Sequence, residues 1–189
     1  GRPCDGFAAT PTLVGQRLLL LQALRKDWPV FSLDVVTAFL NAPIPTSVWT
    51  CVRLGKCPFA GGWTDNSLVR CRKALYGLRE SPRLFQEWLA AQLAQLGFQR
   101  LVGDPQLFVR ADGAMLSVHA DDMLCTVPME EQATFVQVLE KTVTVTQRPT
   151  FDDQWRLYLG REYRRGASWF DVRVPPKYFQ ECLRDMGLQ

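Results

Sequence analysis

Among 189 residues there is 1 histidine and no C-x-x-C pair, and no uninterrupted apolar run reaches the roughly 18 residues of a membrane span. The first two absences exclude the usual structural zinc spacings, and the third excludes a spanning helix. The opening Gly1-Arg2-Pro3-Cys4-Asp5-Gly6 offers neither a basic then apolar leader nor an initiating Met. The expectation is an excised piece of a longer protein, with nothing directing secretion. Low-complexity stretches and internal repeats are also lacking. An excess of one charge is nearly lacking too, since 22 Lys+Arg against 19 Asp+Glu leave a net +3. That balance permits a nucleic-acid partner without requiring one. What is abundant is apolar bulk, 47% hydrophobic with 11% aromatic, enough to bury the core of one or two soluble domains and to exclude a disordered tail. The 6 cysteines, Cys4, Cys51, Cys57, Cys71, Cys125 and Cys182, read as reduced intracellular thiols. A three-cysteine site from Cys51, Cys57 and Cys71 is the alternative to half-buried small residues.

Patterning predicts a Leu-rich helix over residues 12–27, between Pro11 and Trp28-Pro29, and a buried strand over 30–34 that ends in an acid, Asp34. After Phe39, Pro43, Pro45, Pro58 and Gly61-Gly62 separate strand-like pieces at 48–54 and 68–71, an appendage to the core. Ser81 and Pro82 read as N-cap and first position of a helix. Leu84, Phe85, Trp88, Leu89, Leu93 and Leu96 then recur at helical spacing until Gly97. Strands at 106–110 and 114–119 flank the hairpin dipeptide Asp112-Gly113, and a third at 123–127 follows the short tip Ala120-Asp121-Asp122. A helix over 129–143, strands near 155–163 and 169–174, and a helix after Pro175-Pro176 complete the chain. Strand to Asp34, helix from Ser81, hairpin, helix from Met129 and strand to Tyr163 form the order of an α+β, ferredoxin-like split βαβ sheet. In such a sheet Asp34 approaches Asp121 and Asp122 from a neighbouring strand.

Carboxylates crowded at adjacent strand ends repel one another unless water or a cation compensates. Hard oxygen ligands with open positions suit Mg²⁺, and two such ions about 4 Å apart activate a hydroxyl and steady a leaving pyrophosphate. From the Asp-Asp dipeptide alone, a solvated turn is the commoner outcome.

The segments around these acids change that balance. Leu33-Asp34-Val35-Val36-Thr37-Ala38-Phe39-Leu40-Asn41, then Ala74-Leu75-Tyr76-Gly77-Leu78-Arg79-Glu80-Ser81-Pro82-Arg83, then Val118-His119-Ala120-Asp121-Asp122 resemble, in order and spacing, the reverse transcriptase domain of copia-type (Ty/copia) LTR retrotransposon Pol polyproteins. Phe7-Ala8-Ala9-Thr10-Pro11 and Tyr158-Leu159-Gly160-Arg161-Glu162 extend the likeness over almost the whole chain. The resemblance implies an RNA-directed DNA polymerase with a right-hand palm and partial fingers. Its parts would be a lead-in segment and helix at 1–28, the first catalytic strand at 29–40, a fingers-like insertion at 41–80, palm with two hairpins at 81–174, and a connection to a thumb at 175–189.

Carried over by motif, the resemblance implies that Asp34, Asp121 and Asp122 are catalytic and hold Mg²⁺, with Mn²⁺ as a substitute. Val35, Val36, Thr37 and Ala38 would line the triphosphate through their backbone, Phe39 would lie under the sugar, and Arg79 would meet phosphate. Tyr76, Gly77, Ser81 and Pro82 belong to the template side, and Tyr158, Leu159 and Gly160 to a primer-contacting hairpin. Read singly, Phe39 is equally a core ring, Arg79 a surface charge and Tyr158-Leu159-Gly160 a strand end. Implied partners are an RNA or DNA template with primer, dNTPs and the other Pol parts, namely thumb, RNase H and integrase, with no membrane. The implied setting is an intracellular particle or the nucleus. Two features depart from the pattern. His119 and Ala120 stand where the family has a Tyr and a branched residue, and most of a basic finger strand and the thumb are expected to lie beyond Gly1 and Gln189. The rival readings are a non-catalytic nucleic-acid-binding fragment and another palm-type nucleotidyl-transfer enzyme such as a cyclase, which has no use for the segment Tyr76 to Pro82.

Overall fold

A computed structural model describes residues 8–47, 49–55 and 66–188. In chain order its elements are α1 (Leu13–Lys26), β1 (Val30–Val35), α2 (Ala38–Asn41), β2 (Cys51–Arg53), β3 (Leu68–Arg70) and α3 (Ser81–Gln95). Then come β4 (Gln99–Leu101), β5 (Asp104–Val109), β6 (Met115–His119), β7 (Asp122–Thr126), a 3-10 turn (Met129–Glu131) and α4 (Gln132–Glu140). The chain ends with β8 (Val145–Gln147), β9 (Arg156–Tyr158), β10 (Arg161–Arg165), β11 (Phe170–Arg173) and α5 (Pro176–Asp185). Two compact units divide these elements, residues 1–9 with 37–96 and residues 10–36 with 97–189.

In the second unit a 6-stranded sheet runs β4-β5-β6-β7-β1-β8, antiparallel throughout. Its central strands are apolar on both faces, and Leu19, Leu20 and Ala23 of α1 pack with Leu107, Met115 and Leu124 into one cluster. Thr12 starts α1 as its N-cap, its Oγ1 accepting from the Gly15 amide at 2.9 Å. The buried Asp104 carboxylate fixes that cap, with Oδ2 accepting from the Thr12 amide at 3.0 Å and hydroxyl at 2.6 Å. A Cβ at Gly15 would collide with the same oxygen, so only glycine lets the helix start lie on Asp104. On α4, Phe135, Val136 and Leu139 are buried, and Phe135 meets Phe98 edge to face at 5.8 Å.

The single strand that patterning expects over 155–163 is instead a hairpin, the form the resemblance implies around Tyr158-Leu159-Gly160. Leu159 and Gly160 take φ of 46° and 71°, so the chain reverses between β9 and β10 and joins β11 in a separate 3-stranded sheet, β11-β10-β9. The main sheet is closed by β8, which pattern reading missed because it pairs over only 3 residues and buries only Val145. The helix expected over 129–143 is likewise a 3-10 turn followed by α4, which stops at Glu140. The α+β expectation stands as a mixed chain built on a large antiparallel sheet.

The first unit holds α2, the antiparallel pair β2–β3 and α3. Phe85, Leu89 and Leu93 form the buried stripe of α3. Its N-cap is Glu80, not Ser81; Ser81 is the first helical residue, wholly buried, its hydroxyl donating to Leu75 O at 2.6 Å. Pro82 follows in the first turn, where its missing N–H costs nothing. Cys51, Cys71, Cys125 and Cys182 are free thiols. Cys4, Cys57, Pro58, Gly61 and Gly62 lie outside the described residues.

Candidate active site

Strand β1 enters the sheet between β7 and β8, and its fifth residue, Asp34, is the acid that interrupts the buried run before Val35. The β1–β7 register sets Asp34 directly opposite Asp122, and the flanking ladders set His119 opposite Asp122 and Thr146 opposite Asp34. His119, Asp122, Asp34 and Thr146 therefore form one row across four strands, and partners in register share a face. The β6–β7 connection is tighter than the expected three-residue tip. Asp122 already belongs to β7, which leaves Ala120 and Asp121 as the turn, with Ala120 at φ 52° in the left-handed region. The Asp121 carbonyl accepts from the Val35 amide at 2.8 Å, tying the turn to the end of β1.

Between the paired acids reaches a residue that motif reading passed over. Arg148 Nη2 lies 3.4 Å from Asp34 Oδ1 and 3.3 Å from Asp122 Oδ1. Asp122 Oδ1 is buried and has no hydrogen-bond partner, so the guanidinium meets it as an ion pair only. Burial pushes the Asp122 carboxyl above its ordinary range; Asp121 and Asp34 add to that push, while Arg148 and His119 oppose it. Asp34 and Asp122 are thus brought together, with Asp121 in the adjoining turn. Among the described residues no group of three or more His, Cys, Asp or Glu is gathered to hold a metal ion.

The expected triphosphate backbone is partly engaged already. The Val35 and Val36 amides donate to Asp121 O and Thr144 O at 2.8 and 2.9 Å, so these two donors of the segment expected to line the triphosphate are already engaged. Thr37 has φ 50°, and Ala38 begins α2 with its side chain buried. Within α2, Phe39 meets the Tyr76 ring at a tilt of 46° with centroids 4.7 Å apart and Phe85 edge-on at 6.1 Å. Tyr76, Gly77 and Arg79 are exposed, Gly77 with φ 90°, whereas Ser81 is interior.

Tyr158 corrects a further expectation, because its ring is fully buried among Leu19, Leu20, Val30 and Tyr163. Its hydroxyl is also buried and unpartnered, and burial drives the phenol well above its usual range. A ring in that position does not reach a bound strand. Leu159 is half-buried and Gly160 exposed in the β9–β10 turn. Motif reading also missed the side chains flanking that hairpin. The Arg164 guanidinium lies 4.9 Å from the Trp155 ring and 5.3 Å from that of Trp169, and Arg173 lies 3.8 Å over Trp155. Aromatic spacing within strands at 155–173 was the available signal.

A family model described as Reverse transcriptase (RNA-dependent DNA polymerase) matches residues 5–188. The chain is 34% identical over 113 residues to the Retrovirus-related Pol polyprotein from transposon RE1 of Arabidopsis thaliana, covering 58% of this chain and 8% of that protein. It is 33% identical over 113 residues to the corresponding polyprotein from transposon RE2 of the same plant, with the same coverage of each. A transposon Ty5-1 protein of Saccharomyces cerevisiae is 29% identical over 99 residues, 51% of this chain and 31% of that protein. The chain therefore spans under a tenth of the two plant polyproteins.

Proposed function

Since this chain belongs to the reverse transcriptase (RNA-dependent DNA polymerase) family, we propose that it is the palm with part of the fingers of a retrotransposon polymerase that adds dNTPs to a primer. The observation that carries this reading is the cross-strand pair Asp34–Asp122 with Asp121 in the turn tied to β1. A like-charged pair in register destabilises a sheet, and the partly exposed Arg148 that reaches it offsets this only in part, which leaves room for a second cation. The donor set fits a hard divalent ion: all donors are carboxylate oxygens, and Asp122 Oδ1 is buried with no hydrogen bond to satisfy it. Asp34 and Asp122 would hold Mg²⁺ or Mn²⁺, and Asp121, which is not gathered with them among the described residues, would turn in as the third ligand. Such an ion supplies charge stabilisation at the reacting phosphate and a more acidic primer hydroxyl.

This chain's own groups do the rest. Thr37 and Ala38 offer the remaining backbone donors after β1, Phe39 a sugar-facing ring, and Arg79 a cation for phosphate. Tyr76, Gly77 and Pro82 shape the template side, and Leu159 with Gly160 the primer-side turn. The Trp155, Arg164, Trp169 and Arg173 cluster supports backbone and base contact near that turn. The template with primer, the remaining Pol parts and an intracellular particle or nucleus as setting belong to the same proposal. Among the described residues no helix is long and apolar enough to cross a membrane.

The test is Mg²⁺-dependent extension of a DNA primer on an RNA template by this chain, with Asp34→Asn as control. Extension by the parent and none by the variant is expected. A second reading, nucleic-acid binding without polymerisation, is favoured by Arg148 standing across the two acids. Retention of primer-template without extension at any Mg²⁺ concentration supports that reading instead.

A further inference from the structure

Arg148 belongs to none of the motifs, yet its placement is built into the sheet. Its amide donates to Ser32 O at 2.9 Å, continuing the β8–β1 pairing one residue past Gln147. In that register residue 148 falls opposite Ser32, two positions from Asp34, and residues two apart on a strand share a face. The side chain therefore reaches diagonally along one face to the acidic pair, a distance a long side chain spans. A single nitrogen, Nη2, serves both carboxylates, at 3.4 Å and 3.3 Å. Both separations exceed the roughly 2.8 Å of a good charged hydrogen bond. The Arg148 side chain is also 43% exposed. One long hydrogen bond to Asp34 and the ion pair to Asp122 hold it, and contacts this long let it swing away without unfolding its strand.

We propose that Arg148 is the resident counter-cation of the Asp34–Asp122 pair, neutralising it when no metal is present and yielding both carboxylates to a divalent cation when one binds. The inference rests on the metal-binding reading above. Its physical content is a competition between two cations for the same oxygens. Removing the guanidinium leaves the acids in uncompensated repulsion, and it also removes the group that a metal must displace. Metal-free stability and metal affinity should then move in opposite directions, which a purely structural salt bridge does not require. Arg148 is in this sense a positioning residue for the acids and touches no reacting atom.

The test uses the intact 189-residue chain and Mn²⁺ alone as probe, with free Mn²⁺ read by its electron paramagnetic resonance signal. Arg148→Gln should bind Mn²⁺ roughly five- to tenfold more tightly than the parent, a modest factor because the pair is partly exposed. It should melt at lower temperature without metal and recover on addition of Mn²⁺. Arg148→Lys, which keeps the charge, should return the Mn²⁺ affinity toward that of the parent. Equal affinity in parent and Arg148→Gln, with binding lost in Asp34→Asn, overturns the counter-cation role and leaves the metal site standing. Absence of Mn²⁺ binding in both parent and Arg148→Gln overturns the metal site and the proposal together. A measurement on the parent chain guards against a poorly folding variant. Phenylglyoxal modification at Arg148, mapped by mass spectrometry, should accelerate when Mn²⁺ is added, and an unchanged rate overturns the proposal.

Discussion

Asp34 faces Asp122 across the β1–β7 ladder as a directly opposed residue pair, although 87 residues separate them in the chain. Opposed like charges cost a sheet stability, and the buried Oδ1 of Asp122, which has the Arg148 ion pair but no hydrogen bond, adds a desolvation cost. On the proposed reading, the fold keeps this pair at its strand ends for chemistry and not for stability.

Neutralising one member tests that trade. Asp34→Asn and Asp121→Asn should each abolish primer extension while shifting stability by no more than about 1 kcal/mol, because the fall in repulsion is offset at Asp34 by the weakened Arg148 contact. Activity assays run beside urea melts decide the matter. Robust extension by either folded variant removes the carboxylates from their assigned role.

The pieces legible in the sequence were those with a strong period. The apolar stripe of α3 and the alternation around Asp112-Gly113 needed no tertiary knowledge, and β1 was recognisable as an apolar run broken by its acid. The order of strand, helix, hairpin, helix and strand also emerged, but with the wrong final strand. Three-residue β8 leaves almost no pattern, and the β9–β10 reversal depends on Leu159 adopting a positive φ that leucine rarely takes. Ser81 looked like an N-cap because its type favours that position, yet burial and the Leu75 carbonyl claim its hydroxyl. Arg148 was invisible for another reason: its partner Asp34 lies 114 residues away, and no local spacing encodes such a contact.

The helix start anchored by Asp104 offers a stability test independent of the acids. Asp104→Ala strands the Thr12 amide and hydroxyl and the Gln106 amide, which now donate to its oxygens. A loss of about 2–4 kcal/mol is expected, against about 1 kcal/mol for Thr12→Ala. The double variant should cost less than the sum, since both remove the Thr12 hydroxyl bond to Asp104. Additive losses in chemical denaturation would show that Asp104 acts elsewhere.

Acid stability should report on the β5–β6 connection. Arg110 donates to Asp112 and Glu131 at 2.6 Å each, and its hydrogen bond holds the Asp112 carboxyl below its ordinary range despite some burial. A depressed folded value means stability that is present above the unfolded value near 3.8 and is lost as pH falls through the folded one. Arg110→Gln should therefore flatten the fall in stability below about pH 4. At neutral pH it should cost about 1 kcal/mol or less, because these groups are partly exposed. An unchanged acid limb in melts between pH 2 and 5 would count against this account.

Phe39 separates polymerisation in general from DNA synthesis in particular. Its ring is half-buried, 4.7 Å from Tyr76 and 6.1 Å from Phe85 between centroids, so Phe39→Val removes packing whatever its role, at about 1–3 kcal/mol. Stability alone therefore decides nothing. If the exposed part of the ring lies under the nucleotide sugar, a ribonucleotide's 2′ hydroxyl collides with it and loses water against an apolar face, and a deoxynucleotide avoids both costs. Valine opens that space without touching the acids, so ribonucleotide use should rise by at least tenfold relative to deoxynucleotide use, a shift of about 1.4 kcal/mol in selectivity. The measurement is the dNTP-to-rNTP ratio of kcat/KM for parent and variant, taken at a temperature where melts show both fully folded. A variant that loses stability and keeps its ratio makes Phe39 a packing residue of α2. Sugar choice must then be sought in another side chain.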